Sequence, residues 1–161
     1  MSANYSWEKG VYKVTTDQSE MDINAIHAYL TRSSWAQGID IDTVRKAIEY
    51  SLNFGLFHEN AQIGFARVVT DNATFGYVCD VYVIEEYQKM KLGYWLMECC
   101  QSHPVLQRLR RTMLVTSTAP WLYEKLGYTP LNRENYVWQI VRPEIYRLRQ
   151  TGEVEDKRTS Q

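Results

Sequence analysis

The chain has 161 residues, 45% hydrophobic, 13% aromatic and 23% charged, a composition that excludes wholesale disorder and collagen-like repetition and leaves room for one domain. Eighteen basic against nineteen acidic residues give a net charge of −1, so no global field draws the chain to nucleic acid or anionic lipid, and an anionic ligand must be held by a local device. Three cysteines, Cys79, Cys99 and Cys100, fit neither a disulfide framework nor a zinc knuckle, and with no apolar leader segment or membrane-length apolar run the expectation is a reducing, cytoplasmic protein.

The run Val11 to Thr15 is β-prone and predicts the opening strand, followed by Asp17 and Ser19, residues that cap helices. Ile23, Ile26, His27 and Leu30 share one helical face, as do Val44, Ala47, Ile48 and Leu52 after Asp40 and Asp42. Between these predicted helices lies a loop, 31–38, containing Trp35. Three β-rich runs at 54–58, 62–70 and 74–84 are separated by Glu59-Asn60 and Asp71-Asn72, the pattern of an antiparallel meander. Leu92, Trp95, Leu96 and Cys99 return to helical spacing, which ends before His103-Pro104.

Met113 to Thr116 predicts a further strand, Ala119 to Lys125 a short helix stopped by Gly127, and Tyr136 to Val141 a last strand. Pro143 suits the start of a terminal helix that Gly152 would close. Residues 153–161 are charged and polar, so the expectation is one domain over 1–152 and a mobile tail over 153–161. The step from strand 74–84 through a helix into strand 113–116 demands parallel strands and a right-handed crossover. The expected fold is therefore α/β (α+β), a mixed central sheet of six to seven strands flanked by about four helices. Ligands of such sheets bind beyond the carboxyl ends of the parallel strands, where a helix presents its N-terminus.

The stretch Val81 to Leu96 joins an apolar strand, a polar turn and an amphipathic helix, and places Gln88 and Gly93 in the pattern Arg or Gln, two residues, Gly, one residue, Gly or Ala. In these residues the chain resembles the GNAT superfamily of acyl-CoA-dependent N-acetyltransferases. Leu122-Tyr-Glu-Lys-Leu-Gly-Tyr128 is similar to that family's late helix and the turn into its next strand, and Gln62 to Arg67 to its third strand. The resemblance covers residues 11–141 in the expected order. It implies a GNAT-like fold and acetyl-CoA as co-substrate. Residues 88–94, with Gln88, Lys89, Met90, Lys91, Gly93 and Tyr94, would wrap the CoA pyrophosphate, and the N–H groups of Val81 and Val83 would pair with the pantetheine arm. The physics agrees, because a pyrophosphate needs converging donors and a helix start supplies backbone N–H groups together with the positive dipole end. One departure stands out. Lys91 occupies the first signature glycine, and a side chain forced into a left-handed conformation there costs roughly 1 to 2 kcal/mol, which the charges of Lys89 and Lys91 would partly offset.

Acyl transfer to an amine needs a neutral amine, a polarised thioester carbonyl and a proton for the departing thiolate. Tyr123 matches the family's tyrosine general acid, with an ordinary packed tyrosine as the alternative, and the backbone N–H of Val81 would polarise the carbonyl. Asp80 is the only acid in the apolar run Tyr77 to Val83; there it would be desolvated and its pKa raised, suiting a base or an amine-binding group, or it is a structural acid bonded to backbone donors. Ser117 and Thr118 would bond pantetheine or acceptor, or cap the next helix. Trp35 would wall the acceptor pocket, or simply pack. His27 suits a satisfied core histidine, and Cys99 and Cys100 small core residues. Arg108 to Arg111 lacks the interleaved aromatics of a nucleic-acid patch.

The expected function is transfer of an acetyl group from acetyl-CoA to a primary amine by direct attack, with no covalent intermediate and no metal. The alternative is a non-catalytic module of the same fold that binds acyl-CoA or a partner. Nothing acidic or extended suggests a dedicated peptide groove, which favours a small-molecule amine over a protein acceptor; no nucleic-acid or membrane partner is expected, and the chain would act as monomer or homodimer.

Overall fold

A strand forms only where a second strand takes up its hydrogen bonds, and the alternating apolar runs of this chain find such partners in order. In the computed structural model, which describes residues 3–150, β1 (Ser6–Lys9) and β2 (Tyr12–Thr15) make a hairpin through Gly10, whose φ of 62° suits glycine. β3 (Leu52–His58), β4 (Ala61–Thr70) and β5 (Phe75–Val83) follow as an antiparallel meander, and β6 (Arg111–Leu114) pairs in parallel with β5. The sheet order is β1-β2-β3-β4-β5-β6. The mixed α/β sheet is thus as expected, with six strands among the described residues.

Each helix starts where a short polar side chain can take an orphan N–H. Asp22 caps α1 (Ile23–Leu30) by accepting from Ala25 N–H at 3.0 Å, and Asp40 caps α2 (Ile41–Glu49) by accepting from Thr43 N–H at 3.0 Å. Asp17 caps only a single 3₁₀ turn, Gln18–Glu20. Helix α3 (Leu92–Ser102) ends as expected, but the chain then starts a second helix, α4 (Pro104–Arg108), because His103 Nδ1 accepts from Val105 N–H and Pro104 takes the first helical position. In α5 (Pro120–Lys125) the stop is a Schellman motif: Gly127 at φ 93° donates to Glu124 C=O and Tyr128 N–H to Tyr123 C=O, both at 3.0 Å.

Two cores result, one on each face of the sheet. On one, α3 lays Leu92, Leu96, Met97, Cys99 and Cys100 against Phe54, Leu56, Ile63 and Val68. On the other, Ile26 and Leu30 of α1 and Val44 and Ile48 of α2 close over Phe65 and Tyr82.

Three expectations are corrected. Ser6–Lys9 is a strand that opens the sheet before Val11, unseen because Trp7 is the one apolar residue among its four. Tyr136 to Val141 forms no strand; each of these residues is exposed, with Trp138 and Ile140 at 83%, since β propensity alone gives no ladder without an edge to pair with. Ser117 and Thr118 do not cap α5; Thr116 Oγ1 accepts from Ala119 N–H at 3.1 Å. The terminal helix is present as α6 (Ile145–Gln150), and its Tyr146 packs against the α1–α2 core, so this segment docks on its own domain. The expected tail, 153–161, and Gly152 lie outside the described residues. Among the described residues no helix is long and apolar enough to cross a membrane.

Candidate active site

The geometry of β5 creates the opening. Its parallel ladder with β6 runs from Phe75–Arg111 to Val78–Leu114 and then stops, leaving Cys79 to Val83 without a described strand on that side. On the other side β4 continues: Phe65 opposes Tyr82 and Arg67 opposes Cys79, so Asp80 and Val81 together face Ala66 as a β-bulge. Asp80 has the left-handed φ of 54° that re-aims the strand. Beyond the bulge, Ile84 N–H donates to Ile63 C=O at 2.8 Å and Tyr82 pairs with Phe65. The N–H of Val83 therefore faces away from β4, toward the side that β6 has vacated. Val81 holds the second position of the bulge.

A single turn, Glu85–Tyr87, leads from β5 into the approach to α3. Gln88 Nε2 donates to Val83 C=O at 2.8 Å, tying the turn to the strand end. Lys89 at φ 70° and Lys91 at φ 63° are both left-handed, and Lys91 is the N-cap of α3 with no side-chain cap bond. The first N–H groups of α3, at Leu92, Gly93 and Tyr94, thus keep their donors uncapped. Gln88, Lys89, Met90 and Lys91 are exposed around them. Gly93 has no left-handed φ, and a Cβ there would meet only Val83 Cγ2, at 3.8 Å. Nothing among the described residues demands glycine; what it leaves open is access to the helix start.

Tyr123 on α5 is buried at 9% exposure and meets Tyr128 edge-to-face at 5.7 Å. Burial, with Cys100 adding to it, raises its pKa above the ordinary phenol, so its proton is retained. Among the described residues its hydroxyl has no hydrogen-bond partner. Ser117 is exposed in the loop between β6 and α5. Cys99 and Cys100 are buried, and burial pushes the Cys99 thiol up to about 12 and that of Cys100 well above its usual value, which leaves them inert packing groups.

On the face opposite α3, a cavity of about 130 Å³ lies between α1, α2 and the sheet. Asp80 borders it, and the acid that is alone in sequence is not alone in space. Arg67 Nε on β4 donates to Asp80 Oδ2 at 2.8 Å, and Trp35 Nε1 donates to Asp80 Oδ1 at 3.0 Å. The pair is largely buried, with side-chain exposures of 18% for Arg67 and 11% for Asp80. Burial opposes the Arg67 charge, but Asp80 more than restores it, and the guanidinium pKa stands above its ordinary value. Arg67 Nη1 also donates to Ser51 Oγ at 3.0 Å. Trp35, 51% exposed, belongs to the loop after α1, which is pinned over β5 by a bidentate Arg32–Glu85 pair and by Tyr29 stacked on Tyr82 at 3.9 Å. His27 Nε2 donates to Ile39 C=O at 3.0 Å, so this histidine is half-buried and satisfied.

Sequence reasoning gave no site role to Arg67 or to Tyr146, which also borders the cavity. A lone cation in the β4 run and a lone acid in the β5 run, on neighbouring strands, were the available signal for the first. For Tyr146 there was none, because a single turn of terminal helix carries no register. No cluster of three or more His, Cys, Asp or Glu suited to a metal ion occurs among the described residues.

Comparison with known proteins bears on the family and the fold. Residues 51–130 match the family described as Acetyltransferase (GNAT) domain. A Xanthomonas campestris protein, provisionally named an acetyltransferase of the GNAT family, is 40% identical and superimposes with a TM-score of 0.80 over 84% of this chain and 96% of that one. A Gibberella zeae protein with a provisional acetyltransferase name is 31% identical over 74% of this chain and 80% of its own length. A Clostridium acetobutylicum structure solved with acetyl-CoA, 14% identical over 81% of this chain and 94% of that one, shares the fold with a TM-score of 0.59.

Proposed function

The chain belongs to the GNAT acetyltransferase family, and on that premise we propose that it transfers an acetyl group from acetyl-CoA to a small primary amine by direct attack. The observation that carries the reading is the half-open strand: β5 beyond Val78 lacks a partner on one side, and it leads within nine residues to an uncapped helix N-terminus. Acetyl-CoA is an extended amide chain ending in a diphosphate, so an unpaired strand edge followed by a cluster of free N–H groups complements it. The N–H groups of Val81 and Val83 pair with the pantetheine arm. The helix start at Leu92, Gly93 and Tyr94, with Gln88, Lys89, Met90 and Lys91 around it, holds the pyrophosphate. Ser117, exposed in the loop that follows β6, bonds the pantetheine arm or the acceptor.

The Val81 N–H polarises the thioester carbonyl. The acceptor nitrogen, stripped of its extra proton through water, forms a bond to the carbonyl carbon as the C–S bond breaks. The thiolate gains a proton from Tyr123, which the raised pKa keeps protonated up to that moment, and the further proton shed by the amide nitrogen returns through water to the Tyr123 oxygen. Asp80, already tied to Arg67 and Trp35, positions the amine, and Trp35 walls its pocket. Three cysteines with no disulfide among them suit work in a reducing compartment.

The left-handed lysines at 89 and 91 favour a second reading, a module that binds acyl-CoA without turnover. Titration calorimetry with acetyl-CoA together with thiol release across an amine panel separates the two. Tyr123→Phe is expected to lower kcat by about tenfold to a hundredfold, the smaller end of what a general acid supplies, with acetyl-CoA affinity unchanged. Equal turnover in the variant would remove Tyr123 from the mechanism.

A further inference from the structure

The acetyltransferase reading leaves the acceptor open within a broad class, and the cavity beside Asp80 narrows it. We propose that the acceptor is a free α-amino acid with an apolar side chain, bound with its ammonium at Asp80 and its carboxylate at Arg67; this rests on the acetyltransferase reading.

Size comes first. An apolar cavity of roughly 150 Å³ takes up benzene, so the 130 Å³ found here suits a branched aliphatic side chain or a ring. The walls agree: Ile39, Val44, Ile48 and Phe65 border the cavity and are each at most 6% exposed. Charge decides what sits at the polar end. Among the described residues of the lining, Arg67 and Asp80 are the charged ones, and they cancel. A bare ammonium or a bare carboxylate would add an uncompensated charge against an apolar wall, whereas a zwitterion adds none.

Hydrogen-bonding capacity points the same way. A guanidinium carries five donors, and Arg67 commits Nε to Asp80 and Nη1 to Ser51, leaving Nη2 uncommitted among the described residues. Each Asp80 oxygen receives one donor, from Trp35 or from Arg67, and an ionised carboxylate oxygen accepts a second. The pair therefore offers one donor group for a carboxylate and one acceptor for an ammonium, side by side. Asp80 also directly precedes Val81 in the bulge, so an amine held at Asp80 lies next to the place where the Val81 N–H meets the thioester. On reaction the ammonium loses one proton to water, its nitrogen bonds the acetyl carbon as the C–S bond breaks, and the nitrogen's second proton balances the one that the departing sulfur takes to leave as the thiol.

The test is thiol release from acetyl-CoA by the full chain with L-valine, L-leucine and L-phenylalanine, each beside its amide and its decarboxylated amine. The expected result is a kcat/KM at least about tenfold higher for the best free amino acid than for its amide and its amine, since those lack the carboxylate that Arg67 would take. Equal or faster turnover of the amides or amines overturns the proposal while leaving the acetyltransferase standing. Binding of acetyl-CoA by calorimetry with no turnover of any free amino acid also overturns it. Failure to bind acetyl-CoA at all removes the underlying reading instead.

Discussion

On the proposed reading, the donor side and the acceptor side of this site are built from different materials. The donor side consists of main-chain groups: the free edge of β5 past Val78, the bulge at Asp80 and Val81, and the uncapped start of α3. The acceptor side consists of side chains from separate elements: Trp35 from the loop after α1, Arg67 from β4, Asp80 from β5 and Tyr146 from α6. Main-chain donors are present whatever the side chains are, provided the backbone keeps its path. That is why a lysine at position 91 can stand where the family signature has glycine and leave the helix start uncapped. A wall of side chains has no such tolerance, because each member needs its partner. Substitutions should therefore act mainly on folding and acceptor turnover on one side, and mainly on coenzyme affinity on the other.

The largest effect is expected at the Arg67–Asp80 pair. Arg67→Met leaves a carboxylate that is 11% exposed without its partner, which costs about 3 kcal/mol or more of folding stability. The double substitution Arg67→Met with Asp80→Leu replaces the pair by apolar groups of similar size, and stability should return to within about 1 kcal/mol of the parent because two desolvation penalties vanish with the attraction. Turnover should not return. Denaturant unfolding and thiol release on the same three proteins check this; a double variant as active as the parent would mean that the acceptor side is scaffolding only. Next comes Gly93→Glu on the donor side. A Cβ at Gly93 meets only Val83 Cγ2 at 3.8 Å, glycine is a poor helix residue by about 1 kcal/mol, and a carboxylate suits a helix N-terminus, so the variant should melt no lower than the parent. A carboxylate where a pyrophosphate is to bind should nonetheless weaken acetyl-CoA affinity by at least about tenfold. Calorimetry decides; unchanged affinity would move the coenzyme away from α3.

The same division governs what could be read from the sequence. The elements of the proposed donor side were legible because local rules make them: the apolar run into β5, the turn at 85–91 and the helical spacing of Leu92, Leu96 and Cys99 lie within one contiguous stretch. The cap at Asp40 and the stop at Gly127 were legible for the same reason, whereas α1 takes its cap from Asp22 and not from Asp17 or Ser19. The acceptor side depends on the register between β4 and β5, which a one-residue bulge shifts, and on a loop and a terminal helix far apart in the chain. Asp80 could be singled out as an acid in an apolar run, but its partners Arg67 and Trp35 are 13 and 45 residues away and only the fold joins them. The stretch 136–141 fails from the opposite cause: five of its six residues are β-prone apolar or aromatic, yet among the described residues no neighbouring edge takes it up.

The smallest expected effect sharpens the comparison most, because it separates backbone from charge within the donor side. Lys91 holds φ 63° without a cap bond. Relief of that conformation by Lys91→Gly should contribute roughly 1 to 2 kcal/mol, of which the looser unfolded chain of glycine takes back about 0.5 to 1. The net gain of about 1 kcal/mol corresponds to a rise in Tm of about 2 to 4 °C for a domain of this size. Acetyl-CoA affinity should fall only severalfold, because the main-chain donors stay and one exposed charge is lost. That difference should shrink as salt is raised toward 1 M, where charges more than roughly 3 Å apart in solvent are screened. A loss of affinity that persists at high salt would show that the Lys91 side chain itself shapes the pyrophosphate site. In that case the donor side would depend on side chains as the acceptor side does, and the contrast between the two would fail.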